Sequence, residues 1–462
     1  MIKISPAILL SIFLCLPAFA QIHDGNILLE MALDRQSYRF DNLYSRTTED
    51  SLVLPDALKR GWGVDIAGGY QNGAPDPYTF TANKGKYWVS PFYYGQLHPL
   101  IKVKYRLRAT NKREDYIDPN RTYWSDEFSG IRGDIELGAL TFDHPNFRVK
   151  FGRDYLLPAV TLSENLLHSL YTYPYDQLQL GYRNRYLELS SYYLQLNATR
   201  DSTAINRRHL NGHRLRVRLG ERGFAAVNEI VIYGGGERSA NWMFLNPFLG
   251  YYVYQKNARN FTSNTIITGE IFLKEGDWFT YLELLIDDFQ VDNKEPKDLE
   301  PTEYGLNWSA GRKNLVPGLH ALFNYTRVAN RTFNAPFLNH EKFIYQNLPI
   351  GHYLGNNFWE MRAQLTYEGN PDWWIQAGYY HRRFGEEALY GEFNTDFLNA
   401  TVAEGYSEAF PFGETRTQNG FQLKSYFTPV PQLTAQLRLA YWLEAADLPE
   451  SFVLGVALGY RL

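Results

Sequence analysis

Cysteine is almost absent: Cys15 is the only one in 462 residues. No disulfide can form within the chain, although small exported domains often depend on them. Long apolar runs are missing too. After residue 20 nothing approaches the roughly 18 consecutive apolar residues that carry a helix across a bilayer, and the mean hydropathy is −0.39. A helical membrane protein is excluded. Charge of one sign is also lacking. Lys plus Arg number 46 against 50 Asp plus Glu, a formal net of −4 with no polybasic stretch, so nucleic acid is not an expected partner. Catalytic signatures do not occur. There is no G-x-S-x-G or H-E-x-x-H, and Gly234-Gly235-Gly236 lacks the Lys-Ser/Thr of a phosphate loop. These absences lead us to expect no enzyme, catalytic residue or cofactor.

Aromatics are plentiful, with 35 Tyr, 29 Phe and 10 Trp. That load excludes disorder. Paired with a polar average, it fits either a large soluble enzyme or a transmembrane β-barrel, whose strands alternate and whose rims carry aromatic girdles. The first residues narrow the choice. Lys3 precedes an apolar stretch over 7–16, and Ala18-Phe19-Ala20 supplies a cleavage site before Gln21. Residues 1–20 read as a secretory signal peptide. Residues 21–60 read as an N-terminal periplasmic helical segment or plug, with Ile27, Met31, Leu33 and Tyr38 loosely at helical spacing.

From residue 61 to 462 the pattern is strand-like. Ile101, Val103, Tyr105, Leu107 and Ala109 oppose Lys102, Lys104, Arg106 and Arg108. Leu215, Val217 and Leu219 oppose Arg214, Arg216 and Arg218, and Leu433 to Tyr441 repeats the device. Leu282, Leu284 and Ile286 oppose Tyr281, Glu283 and Asp287, although Leu285 interrupts the polar face. Side chains alternate faces along a strand. In a membrane barrel the apolar face meets lipid and the charged face lines the lumen. The last segment decides for the barrel: Phe452, Leu454, Val456, Leu458, Tyr460 and Leu462 form one apolar face up to the final residue. About 18 strands are expected, beginning near residues 62, 86, 98, 128, 146, 176, 185, 209, 224, 264, 278, 302, 318, 357, 372, 417, 432 and 451. Such an antiparallel transmembrane barrel belongs in the outer membrane of a Gram-negative bacterium, in contact with its lipid and with the barrel-assembly machinery.

Several landmarks carry a family resemblance in their order along the chain. They are Gly152-Arg153-Asp154-Tyr155, His213-Arg214-Leu215, Glu229 leading into Ile232-Tyr233-Gly234, and Leu245-Asn246-Pro247. Residues 282–289, Tyr325-Thr326-Arg327-Val328 and Gly351-His352-Tyr353-Leu354-Gly355 follow. From about Tyr87 onward the sequence resembles the Wzi capsule-assembly family of outer-membrane β-barrels. The resemblance implies an 18-stranded barrel with a periplasmic helical part. It also implies a role in attaching capsular or exported polysaccharide to the cell surface. A substrate-specific porin or transport channel is the alternative.

Candidate residues fall into two sets. The columns Lys102, Lys104, Arg106, Arg108 and Arg214, Arg216, Arg218 suit an acidic polysaccharide or steering of anions. The presence of both signs on lumen-facing positions favours instead a lumen charge network with carboxylates such as Asp134, Glu136, Glu283 and Asp287, in a lumen filled by side chains and loops. Trp242, Phe244, Asn246, Tyr251, Tyr252 and Tyr254, with Asn241 and Phe248, lie in a long loop. Their rings could stack on sugars or pack the loop against the barrel. Trp373 and Trp374 beside a tight turn read as interface girdle. No metal site is expected: Asp287 and Asp288 point to opposite strand faces, and His209 and His213 would stand roughly 13 Å apart.

Overall fold

Period-two patterning and turn residues in sequence become strands in the computed structural model. It describes residues 61–72, 86–110, 132–156, 165–169, 172–200, 205–236, 238–258, 261–289, 294–336, 338–370, 372–386, 389–430, 432–445 and 451–461. The signal peptide and the expected N-terminal helical segment lie outside these residues. The strands are β1 (Gly61–Asn72), β2 (Lys86–His98), β3 (Ile101–Thr110), β4 (Arg132–Asp143), β5 (Phe147–Asp154), β6 (Tyr175–Arg183) and β7 (Leu187–Arg200). Next come β8 (Ile205–Arg218), β9 (Gly223–Gly235), β10 (Asn264–Glu275), β11 (Trp278–Asp288), β12 (Glu303–Val316) and β13 (Leu319–Val328). A two-residue hairpin, β14 (Ile344–Tyr345) and β15 (Leu348–Pro349), precedes β16 (Phe358–Asn370), β17 (Trp373–Phe384), β18 (Arg416–Val430), β19 (Leu433–Ala445) and β20 (Ser451–Arg461).

All but the small hairpin join one 18-stranded antiparallel sheet. Neighbours in sequence are neighbours in space, and β20 pairs with β1 from Asp65↔Arg461 to Asn72↔Leu454, which closes the barrel. Closure removes the sheet edges that a bilayer would leave unsatisfied. Every barrel strand begins within four residues of its expected start. Among the described residues no helix is long and apolar enough to cross a membrane.

Alternation gives each face its medium. On β16 the side chains of Phe358, Glu360, Arg362, Gln364, Thr366 and Glu368 are buried inward, while Met361, Leu365 and Tyr367 stand exposed outward. A wall whose outward face is exposed Leu, Ile, Phe and Tyr all round needs lipid, and this is an outer-membrane barrel. Short connections, including 219–222 and 276–277, lie at the end that also holds the start of β1 and the close of β20. The long connections, including 236–263, 329–357 and 385–415, lie at the other end. In such barrels the short turns face the periplasm and the long loops the exterior.

Trp374 corrects the girdle expectation. Adjacent residues on β17 face opposite ways, so Trp373 lies outward near Tyr367, with ring centroids 5.5 Å apart. Trp374 is buried inward, stacked on Tyr426 at 5.9 Å.

Candidate functional site

The periplasmic half of the lumen carries a ladder of ion pairs. Lys102 meets Asp143 at 2.9 Å, and Lys104 meets Asp154 at 3.0 Å. Lys150 reaches the same Asp154 at 2.9 Å, and Arg148 reaches Asp143 at 2.9 Å. Arg106 and Arg108 share Glu136, with Arg106 also 3.4 Å from Asp65. A register shift opposite Arg106 and Leu107 explains that sharing. The bulged β4 strand turns both Glu136 and Leu137 inward, which seats the carboxylate between two guanidiniums. Arg214 pairs with Glu270 at 3.1 Å and Arg216 with Glu188 at 3.6 Å. Arg218 is the last of its row before the turn at 219–222. A cavity of about 80 Å³ beside this ladder is lined by Arg148, His168, Glu188, Arg214, Glu270 and Glu283.

Three of the four expected carboxylate partners behave differently. Asp134 lies 3.5 Å from Arg153. Glu283 accepts the backbone N–H of Leu166 at 2.8 Å, and Asp287 accepts that of Phe333 at 2.6 Å. Both therefore hold inward-folded loops, where bare peptide N–H groups need acceptors away from water.

Those loops fill the exterior half of the lumen. Leu166, Leu167, Phe333, Phe343, Tyr345, Ile350 and Leu354 pack against Leu194, Leu210, Ile230, Ile232, Ile266 and Leu285 of the wall. Leu285, which interrupts a polar face in the sequence, is there to meet the plug. Arg208 projects inward from β8 and donates to the carbonyls of His340, Lys342 and Ile344. Arg331 donates to both carboxylate oxygens of Glu408 at 2.9 Å, tying the 329–357 loop to the 385–415 loop. Gly212 faces inward beneath the Tyr192 ring, where a Cβ would stand 2.2 Å from a ring carbon. The Tyr192 hydroxyl shares a hydrogen bond of 2.6 Å with His168. Burial pushes the His352 imidazole well below its usual range, so the plug encloses a neutral ring.

The aromatic loop set sits elsewhere. Phe244 and Tyr251 pack with Val231 and Tyr233, whose side chains leave β9 on the face opposite Ile230 and Ile232. The loop between β9 and β10 therefore lies against the outer wall. It carries a 3-10 turn (Trp242–Leu245) and a short helix, α1 (Tyr251–Asn257). Outward-facing Glu229 accepts the N–H groups of Tyr251 and Tyr252 at 2.9 and 2.7 Å and lies 3.1 Å from His213 Nε2. The Tyr233 hydroxyl donates to Asn211 and accepts the Asn241 N–H, each at 2.9 Å. His209 lies 3.2 Å from the Arg238 carbonyl. Phe244 and Tyr251 are buried and cannot serve as open stacking platforms. Tyr254 is half-buried with its ring edge-on to Phe244 and Phe261. Asn246 caps locally, its side chain accepting the Phe248 N–H at 3.1 Å. Trp242, Phe248 and Tyr252 remain exposed. Among the described residues no three His, Cys, Asp or Glu groups are placed to hold a metal ion.

The chain can now be set beside known proteins. No family model matches the sequence, and no curated protein does so either. Solved structures do match. Wzi of Escherichia coli, an outer-membrane protein involved in group 1 capsule assembly and a carbohydrate-binding β-barrel, superposes with a TM-score of 0.58 at 11% identity. The match covers 96% of this chain and 99% of that one. This is a Wzi-like outer-membrane β-barrel fold. A BenF-like porin from Pseudomonas fluorescens gives a TM-score of 0.49 at 10% identity, over 87% of this chain and 98% of its own. OccAB4 of Acinetobacter baumannii gives 0.48 at 10%, over 88% and 99%. The Wzi-like fold thus covers nearly all of both chains, while identities this low speak to fold alone.

Proposed function

We propose that this barrel holds or organises capsular or exported polysaccharide at the cell surface and catalyses no reaction on it. The observation that carries the reading is the apolar core inside the barrel. A conduit for hydrophilic solutes lines its path with polar groups and water. Here the exterior half of the lumen is packed with Leu, Ile, Phe and Tyr from the wall and from inward loops, Leu389 of the 385–415 loop among them. The Wzi-like fold supports the same use, since Wzi binds carbohydrate on a barrel of this kind. Polysaccharide would meet the long-loop end, and the closing strand β20 would be read by the assembly machinery.

A substrate-specific channel is the second reading. The paired basic ladder and the charged cavity beneath the plug favour it. Two measurements separate the readings. Deleting the gene should move polysaccharide from cells to medium, and an unchanged partition would refute the first reading. Purified protein in planar bilayers should show no large steady conductance. Substrate-dependent conductance would establish the second.

A further inference from the structure

The wall under the β9–β10 loop has the wrong chemistry for lipid. Along β8 the outward parity runs Val217, Leu215, His213, Asn211 and His209, apolar near the periplasmic turn and polar beyond it. Along β9 it runs Val227, Glu229, Val231 and Tyr233. Glu229, Val231 and Tyr233 lie 6, 8 and 10 residues beyond Gly223. At about 3.3 Å per residue and a tilt near 40°, that is roughly 15 to 25 Å above the periplasmic turn, inside an apolar band about 25 Å tall. At comparable distances from its turn, β16 presents Leu365, Met361 and Trp359 outward. A carboxylate, two imidazoles and an amide thus stand at a height where β16 presents apolar side chains.

The loop resolves the conflict. Its inner side supplies partners to Glu229, Tyr233 and His209, and the Tyr233 hydroxyl in turn donates to Asn211. Its outer side presents Trp242, Met243, Phe248, Tyr252 and Val253, with Phe248 at 84% and Trp242 at 61% exposure. This surface continues the lipid-facing band formed below it by Leu215, Val217 and Val227. Exposure of so many large apolar side chains on one loop is costly in water, at about 25 cal/mol per Å².

We propose that the β9–β10 loop is an intramembrane element whose apolar outer face meets the acyl chains of the exterior leaflet, completing the barrel's hydrophobic band where the strands do not. The partner is bilayer hydrocarbon. Trp242 and Tyr252 accordingly touch lipid, and the sugar contacts of the proposed function lie elsewhere on the loop end.

The test uses the full chain with Cys15→Ser, so that one introduced thiol is the only one. Phe248→Cys and Val253→Cys are labelled with an environment-sensitive fluorophore in phosphatidylcholine vesicles. Leu365→Cys on β16 and Ala403→Cys in the 385–415 loop are the lipid and water references. Heat-modifiable gel mobility verifies that each variant is folded. Labels at 248 and 253 should be quenched by acyl-chain nitroxides as strongly as at 365, and several-fold less by aqueous iodide than at 403. Iodide quenching equal to that at 403 would overturn the proposal and return this face to water or polysaccharide. Disulfide-linked dimers through 248 or 253 would overturn it in favour of a second copy of the chain.

Discussion

Two walls of one barrel obey the same alternation and face different surroundings. On β16 and β17 the outward positions carry Trp359, Met361, Leu365, Tyr367, Ile375 and Tyr379, with His381 and Arg383 toward the exterior end of β17. Nothing among the described residues covers them. On β8 and β9 the outward positions turn polar halfway up, and a loop with its own apolar outside covers the change. The difference teaches that parity assigns a side chain to a face, whereas the medium at that face also depends on height and on what folds over it. The lumen repeats the lesson in reverse. Inward positions are charged where they meet one another and apolar where a plug docks.

The comparison can be broken most forcefully from inside. Removing residues 338–350 takes away the plug segment held by Arg208 and packed beside Leu285. Planar bilayers should then show a steady conductance absent from the intact protein. If the deletion variant folds and stays silent, the plug is not what closes the lumen.

Glu229→Leu is the next test, and it places on the clad wall the residue that suits the bare one. It strips the acceptor from two N–H groups and from His213. Hydrogen bonds to a charged acceptor contribute about 1.5–3 kcal/mol each, without simple additivity. Loop docking should weaken by about 3 kcal/mol, read as cleavage of the loop by added protease while the barrel keeps its folded gel mobility. Equal resistance in the variant would show that apolar contact alone seats the loop.

A smaller effect comes from pH. Burial pushes the Glu341 carboxyl up to about 7 from its ordinary 4.5. Between those values the folded plug retains a proton that the free segment releases. Its contribution to docking is full below about 4.5 and is lost as pH rises through about 7. Glu300, in the connection after β11, is raised to about 7 by burial and acts in the same sense. Plug openings, counted as brief conductance events, should be more frequent at pH 8 than at pH 5. Glu341→Gln should flatten part of that difference, and an unaltered profile would assign it elsewhere.

The smallest effect sharpens the comparison. Val253→Thr on the loop and Leu365→Thr on the bare wall should each cost about 1 kcal/mol against unfolding from lipid, since each loses apolar contact worth about 0.8 kcal/mol per methylene. A loss at 365 with none at 253 would mean that the two surfaces meet different media.

Much of this was legible in the sequence. About 18 strands, their approximate starts and the closing segment follow from alternation and turn residues, because period-two patterning is local. The basic columns were legible as inward-facing, and their partners only in part: of the four carboxylates expected, Glu136 meets them. Glu136 reaches two arginines through a bulge, and Glu283 and Asp287 went to loop backbone more than 40 residues away in the chain. The outer-wall loop had a readable signal in polar residues on lipid parity: His213 and Asn211 continuing from Leu215, and Glu229 between Val227 and Val231. Leu285 was the inner counterpart. Such breaks in pattern mark where another segment docks, though they do not say which one.

By itself, then, the sequence pointed to an antiparallel barrel with one apolar and one charged side, since strand periodicity makes the two faces unlike and the unbroken apolar face of the last segment suits lipid. Tertiary structure alone decided which loops turn inward to build the plug and that the β9–β10 loop lies along the outside wall. Those choices depend on contacts between residues far apart in the chain. A buried carboxylate finding a backbone N–H, or a loop ring finding a gap in the wall, is an agreement between two distant surfaces, and no local pattern records it.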